Sequence, residues 1–232
     1  MSTDKTIAAN TSASSAKMLR AMVGIGILCA LLIVLTFEGT KPRIEQLKAE
    51  ALEQAIFQVL PGIVKTKPFQ LKDGNHFTEF NGTDKTKQIV YAGYDKNDSL
   101  IGIAVEASGQ GYADIIRVLF GYQPETQTII GFYVLESKET PGLGDRIEKD
   151  PAFLSNFNAL DVSLTDDNTS VKEQVVTVKH GAKTKPWEVD GITGATISSR
   201  AIGNILGTST KNLIPIIYEN RETFRITNPE NK

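Results

Sequence analysis

The chain has 232 residues, with 25 Lys and Arg against 27 Asp and Glu, and its formal net charge is −2 at pH 7. This length suffices for a membrane anchor and one globular domain, or at most two small domains. A charge so close to zero, without a long basic stripe, argues against nucleic acid as a partner. The single cysteine, Cys29, excludes a disulfide within the chain and iron–sulfur or c-type haem ligation through sets of cysteines.

The N-terminal region predicts a polar tail followed by one membrane span. Residues 1–17 are mostly polar or small, and we expect a disordered tail. Residues 21–37 form an uncharged stretch that, with Met18 and Leu19, reaches the lower end of a membrane span. We therefore predict a transmembrane helix over residues 18–38. A cleaved signal peptide is the alternative, but the exit from the apolar stretch lacks the small residues that a cleavage site needs.

After the span, the pattern predicts a second helix. Apolar residues recur every three or four positions over residues 41–60, which marks one face of a helix. Pro42 is expected in its first turn, and Pro61 ends it. We therefore predict a juxtamembrane helix within residues 39–62. Residues 63–86 are polar, with scattered Gly and Asn; they indicate no chemistry, and no element is assigned to them.

Four segments rich in β-branched and aromatic residues predict an antiparallel sheet. Short polar turns join them into two hairpins, and residues 109–112 are expected to form a flexible connector between the hairpins. The apolar face of such a sheet needs a helix or a second layer. We therefore predict an α+β fold, with one N-terminal transmembrane helix and then a globular domain of largely antiparallel sheet and packed helices. The four predicted strands are residues 88–94, 100–107, 115–122 and 127–135.

Short elements are predicted between the hairpins and the end of the chain. Asp150 and Pro151 fit the cap and the first residue of a short helix. Residues 174–179 predict another strand. Trp187 is expected in the core.

A long helix is predicted near the C-terminus. An apolar stripe begins at Ile197, and Gly207 with Pro215 predicts a break or kink within the helix. The polar tail from Arg221 onward is expected to fray.

Small residues lie directly before this long helix, in the stretch VDGITGATISSR of residues 189–200. Glycine lets the backbone approach a ligand closely, and the first N–H groups of a helix have no internal partner. Such a helix N-terminus favours a bound phosphate, beside which the Thr196 hydroxyl would lie. The alternative is a plain glycine-rich turn before a surface helix, because the stretch is neither a Walker loop nor GxGxxG.

A second loop with two glycines, ETPGLGDR at residues 139–146, follows the predicted hairpins. Pro141 fixes its own φ, whereas Gly142 and Gly144 permit positive φ. Such a loop can present backbone amides and the apolar side chain of Leu143 to a flat ring, as cofactor pockets commonly do. The alternative is an ordinary surface loop.

No catalytic residue and no metal ligand is predicted. Glu136, Glu139 and Asp145 are interpreted as structural or positioning carboxylates and not as catalytic acids. The only histidines, His76 and His180, lie at unrelated positions, and the chain contains neither CxxC nor HExxH.

The stretch DGITGATISS at residues 190–199 resembles the flavinylation motif of the FMN-binding domain family. With the ETPGLGDR loop, the single apolar span and the length, it makes the chain similar to the G subunits of Rnf (or Rsx) ion-translocating electron-transport complexes. The resemblance implies that FMN is joined through its phosphate, as a phosphoester, to Thr196. The other cofactor-binding residues that it implies are Asp190, Thr193, Gly194 and Ala195 in the motif, and Glu139, Thr140 and Leu143 in the second loop.

The same resemblance implies partners and a location. It implies a complex with A, B, C, D and E type subunits, which passes electrons between NADH and ferredoxin and couples this to ion movement across the inner membrane. A flavin transferase that uses FAD would attach the cofactor, and the protein would have no independent turnover. Basic residues flank both ends of the span about equally, so the orientation also rests on the resemblance. It implies a cytoplasmic N-terminus, a periplasmic domain over residues 63–220 and a C-terminal tail over residues 221–232.

Three alternatives stay open at this point. One is the related flavinylated C-type subunit of sodium-pumping NADH:quinone oxidoreductases, although the TGATISS form and the compact length favour the Rnf type. The second is a stand-alone membrane-anchored flavin reductase, which would turn over with a soluble electron donor. The third is a membrane-anchored binding module without any flavin.

Overall fold

A single long helix, α1 (Ile7–Val59), begins the computed structural model, which describes residues 7–72, 75–82 and 87–226. The expected disordered tail is therefore helical from residue 7, and residues 1–6 lie outside the described residues. Pro42 lies inside α1, so the prediction of a separate helix beginning there is wrong. Proline removes one backbone hydrogen bond, but the residues on either side keep theirs and the helix continues.

Within the described residues, α1 is the one helix long and apolar enough to cross a membrane. Its large apolar side chains between Met18 and Phe37 are all exposed, as a lipid-facing surface would be. The span predicted over residues 18–38 lies within this helix. The chain divides into two compact units, and the first ends at Glu50 while the second begins at Ala51.

A seven-stranded antiparallel sheet forms the centre of the second unit. Its strands are β1 (Lys65–Lys72), β2 (His76–Glu79), β3 (Ile89–Tyr94), β4 (Leu100–Gln110), β5 (Ile115–Gln123), β6 (Thr128–Glu136) and β7 (Leu160–Asp161). Their order across the sheet is β2-β1-β3-β4-β5-β6-β7. The two predicted hairpins, β3–β4 and β5–β6, are confirmed by direct pairing of these strands. The predicted α+β fold is confirmed as well.

Strands β1 and β2 lie where the sequence predicts no element. The β1 sequence, KTKPFQLK, contains a proline and three lysines, and only Phe69 and Gln70 in it are buried. Pairing with β3 along six residues stabilises this strand, so its own composition carries little signal. The expected flexible connector over residues 109–112 is also wrong in its first half, because β4 continues to Gln110 and pairs there with Ile115.

Neighbouring residues of the central strands alternate between two hydrophobic clusters on opposite faces of the sheet. On β5, Val118 and Phe120 join the larger cluster, whereas Leu119 between them joins the smaller one. The long helix α3 (Thr196–Glu219) completes the larger cluster. The C-terminal residues of α1, including Val59, complete the smaller cluster.

Short elements connect the sheet to α3. They are a 3-10 helix (Gly144–Glu148), α2 (Pro151–Leu154), a second 3-10 helix (Ser155–Phe157), β8 (Val176–Val178) and β9 (Glu188–Asp190). The predicted cap is confirmed, because Asp150 Oδ1 accepts hydrogen bonds from the N–H groups of Ala152 and Phe153 at 3.1 and 3.4 Å. The predicted strand near residue 176 is confirmed as β8, which pairs in parallel with β9.

Helix α3 is continuous, so a break at Gly207 and Pro215, one of the two predicted outcomes, is wrong, and a kink there stays a prediction. A Cβ at Gly207 would lie 2.6 Å from the Val175 carbonyl oxygen, so this glycine permits close packing and does not interrupt the helix. The expected core position of Trp187 is wrong as well. Its side chain is half-buried, with the Lys185 ammonium 5.9 Å from its ring centroid.

The segment after α3 is anchored and not frayed as predicted. Residues Arg221–Phe224 form a 3-10 helix, and Phe224 is fully buried. Its ring lies 5.0 and 5.1 Å from the ring centroids of Phe69 and Phe77. The Tyr94 hydroxyl donates a hydrogen bond to the Phe224 carbonyl at 2.6 Å. One aromatic side chain therefore fixes an otherwise polar segment, while residues 227–232 lie outside the described residues.

Candidate functional site

The loop between β9 and α3 carries the predicted attachment threonine. β9 ends at Asp190, and the backbone then turns through Gly194, whose φ is +87°. A Cβ at Gly194 would meet no atom within 4 Å, so the backbone conformation and not lack of space favours glycine here. Thr196 follows as the first residue of α3, and it is exposed.

The N-terminus of α3 has no side-chain cap. Ala195 is the N-cap residue directly before the helix, and its methyl side chain cannot accept a hydrogen bond from the first N–H groups. The Ser199 hydroxyl donates to the Ala195 carbonyl at 2.7 Å and accepts from the Ile192 N–H at 3.3 Å, which closes the loop on the helix. The first N–H groups of α3 thus lie beside Thr196 without a capping side chain, an arrangement suited to an anion.

The ETPGLGDR loop holds Leu143 outward. Gly142 has a φ of +79°, and its N–H donates to Asp145 Oδ1 at 2.7 Å. The Leu143 N–H donates to the Thr140 carbonyl at 3.1 Å, which closes the turn. Leu143 is 53% exposed. A hydrogen bond from the Lys149 ammonium to the Asp145 carboxylate lowers the pKa of that carboxyl, so the turn is held by an ionised group.

The Glu139 carboxylate joins three segments of the chain. Glu139 is 5% exposed, and its Oε1 accepts hydrogen bonds from the N–H groups of Tyr112 and Ala113 at 2.8 and 3.0 Å. Its Oε2 accepts from the Ser198 hydroxyl in the first turn of α3. A Cβ at Gly144 would lie 2.7 Å from this oxygen, so glycine is needed for the close approach. Glu139 therefore fastens the ETPGLGDR loop to α3, and a direct contact with a cofactor stays a prediction.

Arg146 makes a second connection between the two loops. Its Nη1 donates to the Thr193 carbonyl at 2.9 Å, and its Nη2 donates to Asp150 Oδ2 at 2.6 Å. The hydrogen bond from Arg146 lowers the pKa of the Asp150 carboxyl, which therefore stays ionised at neutral pH. The ETPGLGDR loop is thus joined to the chain on both sides of Thr196, at Thr193 before it and at Ser198 after it. Residues 191–195, between β9 and α3, are called the attachment loop below.

Asp190 has a different environment from the other predicted site residues. Its Oδ1 accepts from the Gly181 N–H at 2.7 Å, and its own N–H donates to the Asn156 side-chain oxygen at 3.0 Å. His180 Nδ1 lies 3.4 Å from its other carboxylate oxygen. These contacts fix the start of the attachment loop, and a contact of Asp190 with a cofactor stays a prediction.

The structure brings the two predicted loops together, although only some of the predicted residues are accessible. The exposed ones are Thr140, Leu143, Thr193, Gly194 and Thr196, whereas Glu139 and Ala195 are buried and Asp190 is half-buried. Sequence reasoning missed the roles of Ser198, Arg146 and Tyr112. Ser198 and Arg146 lie within the two recognised motifs, but nothing in the motifs shows which residue each one contacts.

The residues present fit a ligand that has both a phosphate and a flat apolar ring. Thr196 offers a hydroxyl at an uncapped helix N-terminus, and Gly194 leaves open space beside it. Three large side chains next to the Glu139–Ser198 connection are exposed, namely Tyr112 at 64%, Leu143 at 53% and Ile197 at 55%. Exposed apolar groups near an uncapped helix N-terminus suit a ligand of this kind, such as FMN. Within the described residues, no group of three or more His, Cys, Asp or Glu could hold a metal ion.

Comparison with known proteins shows that the region containing both loops matches the model of a protein family. The model of the FMN-binding domain matches residues 111–209, which include both loops. The chain is 30% identical over 190 residues to the G subunit of the ion-translocating oxidoreductase complex of Methanosarcina acetivorans, covering 82% of this chain and 89% of that relative. It is 29% identical over 199 residues to the G subunit of the Na(+)-translocating ferredoxin:NAD(+) oxidoreductase complex of Acetobacterium woodii, covering 84% and 87%.

Two solved structures share the fold. NqrC of Shewanella oneidensis is similar with a TM-score of 0.50 at 22% identity, covering 74% of this chain and 85% of that protein. The C subunit of the Na(+)-translocating NADH-quinone reductase of Parabacteroides distasonis has a TM-score of 0.57 at 20% identity, covering 75% and 96%. At these identities the similarity establishes the fold alone.

Proposed function

The chain belongs to the family of G subunits of ion-translocating oxidoreductase complexes, and on this premise we propose that it carries FMN covalently on Thr196. As a member of this family it is an electron-transfer flavoprotein subunit of a membrane complex. We further propose that FMN is linked as a phosphoester. The protein would act within the complex, without independent turnover.

The observation that carries this proposal is the placement of Thr196. This residue is exposed at the uncapped N-terminus of a 24-residue helix, and it closely follows a glycine at positive φ. The partial positive charge of such a helix end stabilises a phosphate dianion or a phosphoester. Thr193 is also exposed, but it lies before the turn at Gly194 and not at the helix end.

The surrounding residues would bind and orient the cofactor. Bound FMN would supply the electron-transfer chemistry, and the protein would supply binding, orientation and electrostatics. The exposed Leu143 offers an apolar contact for the ring, and Gly142 and Gly194 hold the two loops in their turns. A covalent link keeps the flavin at this site at all times, because a tethered group cannot be diluted.

We also propose the finer features that the resemblance implies. The partners are the A, B, C, D and E type subunits, a flavin transferase matures the protein with FAD, and the complex exchanges electrons between NADH and ferredoxin. The Acetobacterium relative, which is named for ferredoxin and NAD(+), supports the last point. The helix α1 supports a membrane anchor. The inner membrane as its location, the cytoplasmic N-terminus and the periplasmic globular domain rest on the resemblance.

A C-type subunit of a sodium-pumping NADH-quinone reductase is the second candidate. The solved structures that share the fold include two of this type, but at 20 and 22% identity they support the fold alone. The G-type relative of Methanosarcina is 30% identical, and the match covers 89% of its length. No observation therefore favours the C type.

The proposal is tested by flavin fluorescence of the denatured protein in a gel. The full chain and Thr196→Ala are each co-expressed with a flavin transferase and exported. Thr193→Ala is the matched control, because it removes a hydroxyl from the same loop three residues away. We expect fluorescent bands for the wild type and Thr193→Ala, and complete loss of fluorescence for Thr196→Ala.

A dark wild-type band, obtained with a transferase that labels a known substrate, would refute covalent attachment and support the binding module without flavin. A fluorescent Thr196→Ala band would place the link elsewhere. Turnover of the isolated labelled protein with a soluble electron donor would support the stand-alone reductase.

A further inference from the structure

The Arg146 guanidinium connects two segments that are distant in sequence. Its Nη1 holds the Thr193 carbonyl at 2.9 Å, across 47 residues of chain, and its Nη2 holds Asp150 at 2.6 Å. Asp150 is itself fixed, since it caps α2 through the N–H groups of Ala152 and Phe153. The guanidinium is therefore held by the Asp150 carboxylate on one side and donates to the Thr193 carbonyl of the attachment loop on the other.

The carbonyl that accepts this hydrogen bond belongs to Thr193, the residue directly before Gly194. Gly194 has a φ of +87°, so the chain changes direction there on its way to Thr196. Holding the Thr193 carbonyl fixes the peptide plane between these two residues and hence the direction of the turn. On the other side of Thr196, the Ser198 hydroxyl is held by Glu139. The attachment threonine therefore lies between two fixed points, both supplied by residues 139–146.

We infer that Arg146 is a positioning residue for the attachment of the flavin. The inference rests on the proposed function, namely that Thr196 receives FMN. Arg146 acts through the Thr193 carbonyl and sets the position of the Thr196 hydroxyl before the flavin is present. The neighbouring Asp145–Lys149 ion pair has the same i,i+4 spacing, but its carboxylate contacts Gly142 and not the attachment loop.

The attachment step explains why this position matters. The Thr196 Oγ–phosphorus bond forms at the FMN phosphate of FAD, and the phosphoanhydride bond to the adenylate breaks. AMP leaves, the hydroxyl proton passes to a base of the transferase, and no electrons are transferred. Because such a displacement requires the hydroxyl close to phosphorus, a shift of about 1 Å can slow the step by up to about 100-fold.

The test measures the rate of flavin attachment to the full chain in membranes, with purified transferase and FAD, by gel fluorescence against time. The chain concentration is varied to separate the maximal rate from the concentration at half-maximal rate. Arg146→Gln removes the charge and both donors in their present geometry. Arg146→Lys keeps the charge and the ion pair with Asp150. A single ammonium, however, cannot donate to Asp150 and to the Thr193 carbonyl in the geometry of the guanidinium. Lys149→Gln is the matched control.

We expect Arg146→Gln to lower the maximal rate by about 10-fold to 100-fold, with the half-maximal concentration changed less than about twofold. Arg146→Lys should unfold at the wild-type temperature and still show a maximal rate about 10-fold lower. Lys149→Gln should behave as the wild type. A wild-type maximal rate for Arg146→Lys in a protein that unfolds normally would overturn the inference, as would an equal loss in Lys149→Gln.

The two proposals fail in different ways in this experiment. If the wild-type chain takes no flavin, the proposed function fails and takes the inference with it. If the wild type is labelled on Thr196 and both Arg146 variants are labelled at the wild-type rate, the function stands and the role of Arg146 is refuted. If Arg146→Gln does not fold, Arg146→Lys decides the question alone.

Discussion

Two pairs of glycines in this protein have opposite reasons to be glycine. Gly121 and Gly131 face each other on β5 and β6, and a Cβ on either would collide with the backbone of Val59 at the end of α1. At Gly131 such a Cβ would lie 2.6 Å from the Val59 Cα. Gly142 and Gly194, in the two loops of the candidate site, have φ of +79° and +87° and no atom within 4 Å of a Cβ.

The difference separates a region built by close packing from one built by backbone conformation. In the sheet, the absence of a side chain lets a helix backbone lie against two strands and bury Leu119. In the loops, glycine allows the turns while leaving open space, as a site for a ligand needs. Substitutions should therefore have different effects in the two regions. A residue that tolerates positive φ should be accepted better than alanine in the loops, but it should not be accepted better in the sheet.

The largest effect is expected from Gly121→Ala. Its Cβ would also lie 2.8 Å from Leu60 Cδ2, so strand and helix must separate, and we expect a loss of about 3 kcal/mol in the free energy of unfolding. Urea unfolding followed by the fluorescence of Trp187, the single tryptophan, measures this loss. Gly121→Asn should lose at least as much free energy of unfolding as Gly121→Ala. A loss below about 0.5 kcal/mol would show that the helix does not pack against this strand.

An intermediate effect is expected from Gly194→Ala, because alanine at positive φ costs about 1–2 kcal/mol. Gly194→Asn should recover at least half of that free energy, since asparagine adopts this conformation more readily and the space is open. Urea unfolding and the rate of flavin attachment are measured for both variants. Equal losses for alanine and asparagine would show that space and not conformation selects glycine here.

The smallest effect is expected from Tyr94→Phe, which tests whether the sheet core limits stability at alkaline pH. Burial, with smaller contributions from Glu79 and Asp98, raises the pKa of Tyr94 from 10.0 to about 12. Because the folded pKa is raised, this contribution to stability is complete below pH 10 and is lost as pH rises through about 12. At neutral pH the variant should lose about 1 kcal/mol, since the Phe224 carbonyl loses its donor.

Stability of Tyr94→Phe should also fall less steeply than that of the wild type above pH 10. Tyr133→Phe is the control, because Tyr133 is 37% exposed. Urea unfolding at several alkaline pH values measures both variants. Identical pH profiles for wild type and Tyr94→Phe would contradict the role of this phenol.

The parts of the fold that the sequence predicts are those with strong local patterns. The hairpins β3–β4 and β5–β6 are rich in β-branched and aromatic residues, so their composition reveals them. Composition does not reveal β1 and β2, at one end of the sheet, since their stability comes from pairing with neighbouring strands and from burial of Phe69 and Phe77. Local breaker rules fail at Pro42 and Pro215, where the flanking helix continues on both sides.

The candidate site shows the same division. The position of Thr196 before a helix can be derived from small residues and an apolar stripe, and the family resemblance adds its chemistry. The connections between the loops cannot be derived, because Ser198 meets Glu139 across 59 residues and Arg146 meets Thr193 across 47. Neither motif contains information about the distance or direction of the other.

Local sequence patterns are therefore sufficient to predict the apolar length of α1, the central hairpins and the loop that leads into α3. Each depends on residues within a few positions of one another, through propensity, periodicity and backbone conformation. Tertiary contacts alone explain why Gly121 must be glycine, and how Glu139 and Arg146 connect the ETPGLGDR loop to Ser198 and to the Thr193 carbonyl. Those facts depend on strand register and packing between distant segments, which local interactions do not specify.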